Sequence, residues 1–74
     1  MTAMTQEERA QEFRRVLDRI PAERSIERIR KVAGILHCEL NTVRIWKLAN
    51  NSRPIPEAKL KILKDALEKE GLEL

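Results

Sequence analysis

The sequence contains few of the residues from which disulfides, metal sites and catalytic centres are built. Its 74 residues include one cysteine and one histidine, so it offers neither an intrachain disulfide nor a four-ligand zinc site. It has no glycine-rich phosphate-binding loop, and no nucleophile has a visible base. We therefore expect a protein that is not an enzyme, has no cofactor and takes no small-molecule substrate.

Long apolar runs are also missing. No segment is long and apolar enough to span a bilayer, and the first residues do not resemble a secretory signal. A lone cysteine fits a reducing compartment. These absences predict a cytoplasmic protein that does not bind membranes.

What the chain does contain is helical patterning over a single small domain, residues 1–74. Such a domain buries only about 60% of the surface that its unfolded chain exposes, so dimerisation would add needed stability. The first helix is predicted to begin with a capping box, Thr5 and Glu8, and to end at Pro21. Its apolar stripe is Ala10, Phe13, Leu17 and Ile20.

Three further helices are predicted. Ser25 is expected to cap the second, and Gly34 inside it costs about 1 kcal/mol of helix propensity, which suggests a close contact. The third spans about 40–49. A long fourth helix spans about 56–70, with Pro56 at its first position and Gly71 after its end. The expected apolar faces are Ile29, Val32, Ala33 and Leu36 in the second helix and Leu60, Leu63 and Leu67 in the fourth.

The most informative stretch is VAGILHCELNTVRIW, from Val32 to Trp46. Its spacing suits two short helices packed across a tight turn: small Ala33 allows a second helix to approach, and His37 reverses the chain. Val43 and Trp46 then point back from the second of these helices, and we expect Trp46 to lie in the core rather than to stack on a base.

This segment, about residues 28–48, resembles the helix-turn-helix of the phage Cro and repressor family. The resemblance depends on Ala33, the turn at His37 and the small apolar Cys38. It also depends on an ending similar to "TVxxW" at Thr42, Val43 and Trp46. The tail NNSRPIPEAKLKIL, residues 50–63, resembles the exit loop and next helix of that family. The resemblance covers residues 28–67.

The resemblance implies an all-α, compact four-to-five-helix bundle similar to lambda repressor. It further implies a transcriptional regulator or repressor that binds double-stranded operator DNA as a homodimer on an inverted repeat, without a cofactor.

Two positions depart from the family pattern. His37 replaces the usual Gly at a residue expected to have positive φ, which His tolerates better than most residues. Glu39 replaces a capping Ser or Thr and would repel a nearby phosphate.

Charge is concentrated on the same segment. Residues 24–53 carry seven basic and two acidic side chains, whereas each flank carries four basic and five acidic ones. A local excess of positive charge attracts the phosphates of a nucleic acid. The same charge distribution also occurs on helices whose arginines only face solvent, so charge alone does not distinguish the two interpretations.

Sorting the third helix at 100° per residue gives the candidate contacts to DNA. Arg44 can pair with guanine, Asn41 with adenine and Ile45 with a thymine methyl, and Leu40 lies at the helix entrance. We assign Leu48 to a contact other than DNA. The candidate phosphate contacts are Arg28, Lys47, Asn51, Ser52 and Arg53.

Alternatives remain open. The outward Ile45 and Leu48 also suit a helical protein-interaction adapter, of an antitoxin-like or anti-regulator kind, whose binding would be insensitive to salt. A DNA-bending recombination accessory factor is a further possibility. The apolar residues Leu67, Leu72 and Leu74 either form the dimer surface or fold back onto the end of the last helix.

Overall fold

A computed structural model describes residues 4–48 and 54–74 of the chain. In these residues the protein consists of four α-helices without a β-strand, which confirms the all-α prediction. None of these helices combines the length and the apolar character needed to cross a membrane. The helices are α1 (Gln6–Arg19), α2 (Ser25–Leu36), α3 (Leu40–Leu48) and α4 (Glu57–Lys69).

Helix α1 begins with the predicted capping box. The Thr5 hydroxyl accepts a hydrogen bond from the Glu8 backbone N–H at 3.1 Å, and the Glu8 carboxylate accepts one from the Thr5 N–H at 3.0 Å. These bonds satisfy two backbone donors that a helix start otherwise leaves unpaired, and they lower the pKa of Glu8. The helix ends at Arg19 with Ile20 as its C-cap, so it stops before Pro21 as predicted.

Helix α2 begins differently from the prediction. Ser25 is its first helical residue, and Arg24 occupies the N-cap position. The Glu27 carboxylate accepts hydrogen bonds from the backbone N–H groups of Glu23 and Arg24, at 2.9 and 3.1 Å. The prediction that Ser25 caps the helix was therefore wrong, because Ser25 is itself helical and the carboxylate of Glu27, the third residue of the helix, bonds to the backbone that precedes it.

Helix α4 begins one residue later than predicted, with Pro56 as its N-cap. Its C-terminal end is a Schellman motif, in which Gly71 has φ of 93°. The N–H groups of Gly71 and Leu72 donate to the carbonyls of Glu68 and Leu67 at 2.9 and 3.1 Å. Gly71 therefore ends the helix as predicted, since a positive φ costs glycine little.

The C-terminal leucines fold back beyond the Schellman motif, which is one of the two roles predicted for them. Leu67 is fully buried in the core, and Leu72 and Leu74 are half-buried and pack against the same core. The prediction that Leu67 contributes to a dimer surface was wrong, because its side chain is not exposed.

One hydrophobic core joins all four helices. The predicted apolar stripes of α1, α2 and α4 are buried, as are Val43 and Trp46 of α3, so these predictions are confirmed. The buried side chains are Ala10, Phe13, Val16, Leu17, Ile20, Ile29, Val32, Ala33, Leu36, Val43, Trp46, Ile55, Leu60, Leu63 and Leu67.

Polar contacts tie α4 and the C-terminal residues to the other helices. Lys64 of α4 donates to the Glu12 carboxylate of α1 at 3.2 Å, and Arg15 pairs with the same carboxylate. Lys31 of α2 forms an ion pair with Glu70 at 2.7 Å. These pairs join α4 to α1 and the C-cap of α4 to α2, and none of them involves α3.

Gly34 does not have the close contact that the sequence suggested. It lies on the exposed side of α2, and a Cβ built there would meet no heavy atom within 4 Å. The prediction was wrong because it treated a glycine inside a helix as a packing requirement, whereas this position is open.

Candidate nucleic-acid interface

The connection between α2 and α3 is three residues long and turns at His37. This residue adopts the left-handed conformation, with φ of 54° and ψ of 48°, as predicted. The N–H of Cys38 donates to the Ala33 carbonyl at 3.1 Å, which satisfies a carbonyl at the end of α2. The half-buried Cys38 packs against the core next to this turn, so the direction of α3 relative to α2 is fixed on both sides of His37.

Helix α3 is held to the protein by the two residues predicted to point inward. Val43 is fully buried, and Trp46 is 7% exposed. At 100° per residue, the direction opposite these anchors passes through Asn41, Arg44, Ile45 and Leu48. We call these four residues the outer face of α3.

All four residues of the outer face are exposed. Ile45 is 50% and Leu48 is 73% exposed, so this face carries two apolar side chains beside its polar ones. Leu40 is also exposed, at the N-terminal edge of the same helix. The structure exposes on α3 the four side chains that the sequence assigned to base reading, Leu40, Asn41, Arg44 and Ile45. It also exposes Leu48, on the outward side where the sequence placed it.

Beside α3 lies a small cleft where α1, α2 and α3 meet. Its volume is about 60 Å³, and its charged lining comprises Arg14, Asp18, Arg28 and Lys47. Two of the predicted phosphate contacts, Arg28 and Lys47, therefore line one cavity. We call it the basic cleft, since it carries three cationic side chains and one carboxylate.

Arg14 is a member of the basic cleft that the sequence did not reveal. It lies on α1, outside the segment in which the positive charge is concentrated, and it looks there like one of several arginines on the polar side of an amphipathic helix. Only the packing of α1 against α3 brings it next to Lys47. The spacing of residues along the sequence does not predict that Arg14 and Lys47 lie close together.

Arg28 has a structural role as well as its place in the basic cleft. Its Nε donates to the Ile20 carbonyl at 2.8 Å, at the C-terminal end of α1. A cation there pairs with an unsatisfied carbonyl and with the negative end of the helix dipole. The guanidinium is thereby oriented by one bond.

Three predicted phosphate contacts, Asn51, Ser52 and Arg53, lie outside the described residues, as does Asn50.

The described residues give few options for other chemistry. They contain no group of three or more His, Cys, Asp or Glu side chains placed to hold a metal ion. Burial raises the pKa of the Cys38 thiol above its ordinary value of 9.0, and nearby Lys59 opposes this shift only in part. The thiol is therefore protonated at neutral pH and is a poor nucleophile.

Comparison with protein-family models, with curated protein sequences and with solved structures finds no match to this chain. The resemblance to the phage Cro and repressor family therefore stays a prediction.

Proposed function

We propose that the protein binds double-stranded DNA sequence-specifically, with α3 in the major groove, and regulates transcription in the manner of a Cro-like repressor. In this proposal α2, the turn at His37 and α3 form a helix-turn-helix. Two features of α3 together support this proposal. Its outer face is exposed and carries both polar and apolar side chains, and the basic cleft lies beside it.

The outer face has the chemistry that base edges require. The Arg44 guanidinium presents two parallel donors that match guanine O6 and N7, and the Asn41 amide matches adenine N6 and N7. Good pairs of this kind supply about 1–3 kcal/mol of discrimination each. Because Val43 and Trp46 are buried, the helix presents these side chains from a fixed position.

The basic cleft has the chemistry that phosphates require. Arg14, Arg28 and Lys47 come from three helices and converge at one edge of α3, so together they suit the backbone that borders the groove. Phosphate contacts of this kind set register and orientation, whereas the outer face supplies sequence preference.

A symmetric homodimer would place two copies of α3 on half-sites about 34 Å apart, on an inverted-repeat operator. Dimerisation also suits a domain of 74 residues, whose single core is small.

The first experiment is selection of bound sequences from a random duplex library at near-physiological salt, with the wild type and Arg44→Ala. We expect the wild type to enrich an inverted repeat and Arg44→Ala to relax one base position in each half-site. Arg19→Ala is the matched control, because Arg19 is an exposed arginine in the last turn of α1, and it should select the same site as the wild type. Enrichment of no sequence by the wild type overturns the proposal.

The exposure of Ile45 and Leu48 favours a second candidate, a helical protein-interaction adapter that docks the outer face into an apolar groove. The two candidates differ in their response to salt. Adapter binding would persist at high ionic strength, whereas binding to DNA weakens steeply because counterions are released from the phosphates.

A further inference from the structure

The two apolar residues of the outer face form a unit. Ile45 and Leu48 are three residues apart on α3, so their Cβ atoms lie on neighbouring turns, about 5–6 Å from each other. They are the two most exposed large apolar side chains on this helix. Their exposure to water forgoes part of the free energy that full burial of both side chains would contribute.

The surroundings of this pair favour a nucleic acid as the occupant. Arg44 lies next to Ile45 on the outer face, Lys47 lies at its edge, and Arg14 and Arg28 line the neighbouring cleft. An apolar pair bordered by cations complements the major groove, where the apolar methyl groups of thymine lie between two rows of phosphates.

The spacing of the pair suits two neighbouring bases on one strand. Successive bases rise by about 3.4 Å and two steps by about 6.8 Å, whereas three residues of α-helix rise by about 4.5 Å, so the pair spans one base step and falls short of two. We propose that Ile45 and Leu48 read the C5-methyl groups of two adjacent thymines on one strand, so that each half-site contains a TT step. This proposal rests on the proposed function, and it brings Leu48 into the contact with DNA.

Uracil provides the test, because it lacks only the C5-methyl group of thymine and keeps every hydrogen-bonding atom. With the duplex selected by the wild type, each thymine is replaced by uracil in turn. We expect weaker binding at two neighbouring positions of a half-site, by about fourfold at each, which is what burial of one methyl-sized group contributes. Replacing both together should weaken binding by about 15-fold for the same reason.

Alanine variants then assign the methyl groups. Ile45→Ala should lose the uracil penalty at one of the two positions, and Leu48→Ala should lose it at the other. Ile62→Ala is the matched control, since Ile62 is 54% exposed on α4, close to the 50% of Ile45, and it should keep both penalties.

The outcomes separate this inference from the function on which it rests. If the wild type selects a site but uracil binds as well as thymine, or if both variants keep both penalties, the thymine reading is overturned and sequence-specific binding stands. Penalties at positions that are not adjacent also overturn it. If the wild type selects no duplex, the proposed function fails first.

Discussion

The edge of one aromatic ring meets the face of another where α1 packs against α3. The rings of Phe13 and Trp46 have centroids 6.1 Å apart and planes inclined at 86°. This T-shaped arrangement contributes about 0.5–1.5 kcal/mol beyond the area that the rings bury. The two aromatic residues of the chain thus meet at the contact that positions the outer face.

Removing the indole ring of Trp46 should take away most of the free energy of unfolding, which is about 5–15 kcal/mol for a protein domain and is expected to be small for one of this size. We expect Trp46→Ala to lower the free energy of unfolding by about 3–5 kcal/mol, because it leaves a cavity between α1 and α3. Urea denaturation followed by circular dichroism measures the change. Trp46→Phe is the control, since it keeps an aromatic ring and should retain a cooperative transition. A Trp46→Ala protein as stable as the wild type would contradict this packing.

The two glycines of the chain should respond in opposite directions to the same substitution. Gly34→Ala should raise the free energy of unfolding by about 1 kcal/mol, because the position is open and alanine is the better helix former. Gly71→Ala should lower it by more than about 1 kcal/mol, because φ is positive there and a Cβ is strained in that conformation. Thermal unfolding of both variants beside the wild type gives the signs, and equal signs would contradict the structure.

The Glu12 carboxylate should contribute to acid sensitivity. Its pairing with Arg15, and with Lys64 of α4, outweighs partial burial and lowers its pKa from the ordinary value of 4.5. A lowered pKa in the folded state means that the stabilisation is complete above about pH 4.5 and is lost as the pH falls through the folded-state value.

We therefore expect Glu12→Gln to lower stability at pH 7 by less than about 1 kcal/mol, as is usual for a partly exposed pair. The difference from the wild type should shrink as the pH falls below 4.5. Urea titrations between pH 2.5 and 7 test this, and Glu73→Gln, at an exposed residue beyond α4, is the control. A difference that grows on acidification would show that the pairing has the opposite sign.

Arg28 should affect stability and DNA binding separately. Arg28→Lys keeps the positive charge but loses the Nε bond to Ile20, so it should lower stability by about 1.5 kcal/mol while preserving most of the affinity for DNA. Arg28→Ala should lower both. Chemical denaturation and fluorescence anisotropy with the selected duplex measure the two effects. Equal stability of the lysine variant and the wild type would show that the bond to Ile20 contributes nothing.

The salt dependence of the proposed binding to DNA measures how many phosphates would be contacted. If each protomer neutralises about three phosphates, the affinity of a dimer should fall with a log–log slope of about −5. Lys47→Ala should make this slope less steep by about 2, since a dimer contains two copies. A slope near zero would contradict the assignment of phosphate contacts and support the adapter.

The sequence predicted those parts of the fold that depend on neighbours along the chain. The Thr5 capping box, the positive φ of His37 and the burial of Val43 and Trp46 each follow from local spacing, and each is confirmed. The start of α2 was mispredicted because serine is a favoured N-cap residue, whereas the Glu27 carboxylate bonds to the N–H groups of Glu23 and Arg24. Propensity alone does not rank such bonds.

The candidate site was predictable on α3 and much less so around it. The exposed side of one helix follows from its period, so Asn41, Arg44 and Ile45 could be found from the sequence. The place of Arg14 in the basic cleft, and the bond from Arg28 to Ile20, depend on how α1 crosses the other helices. Those contacts join residues outside one helix, and the periodicity of a helix carries no information about them.

Within the described residues, helix α3 comprises nine, Leu40–Leu48. Isolated helices of fewer than about 12–15 residues are marginal in water, so a peptide with the sequence of α3 would present no ordered surface. The arrangement of Asn41 and Arg44 is therefore a property of the whole folded chain. Substitutions deep in α1 or α4, at residues that never approach a ligand, will weaken recognition in proportion to the fraction of molecules that they unfold.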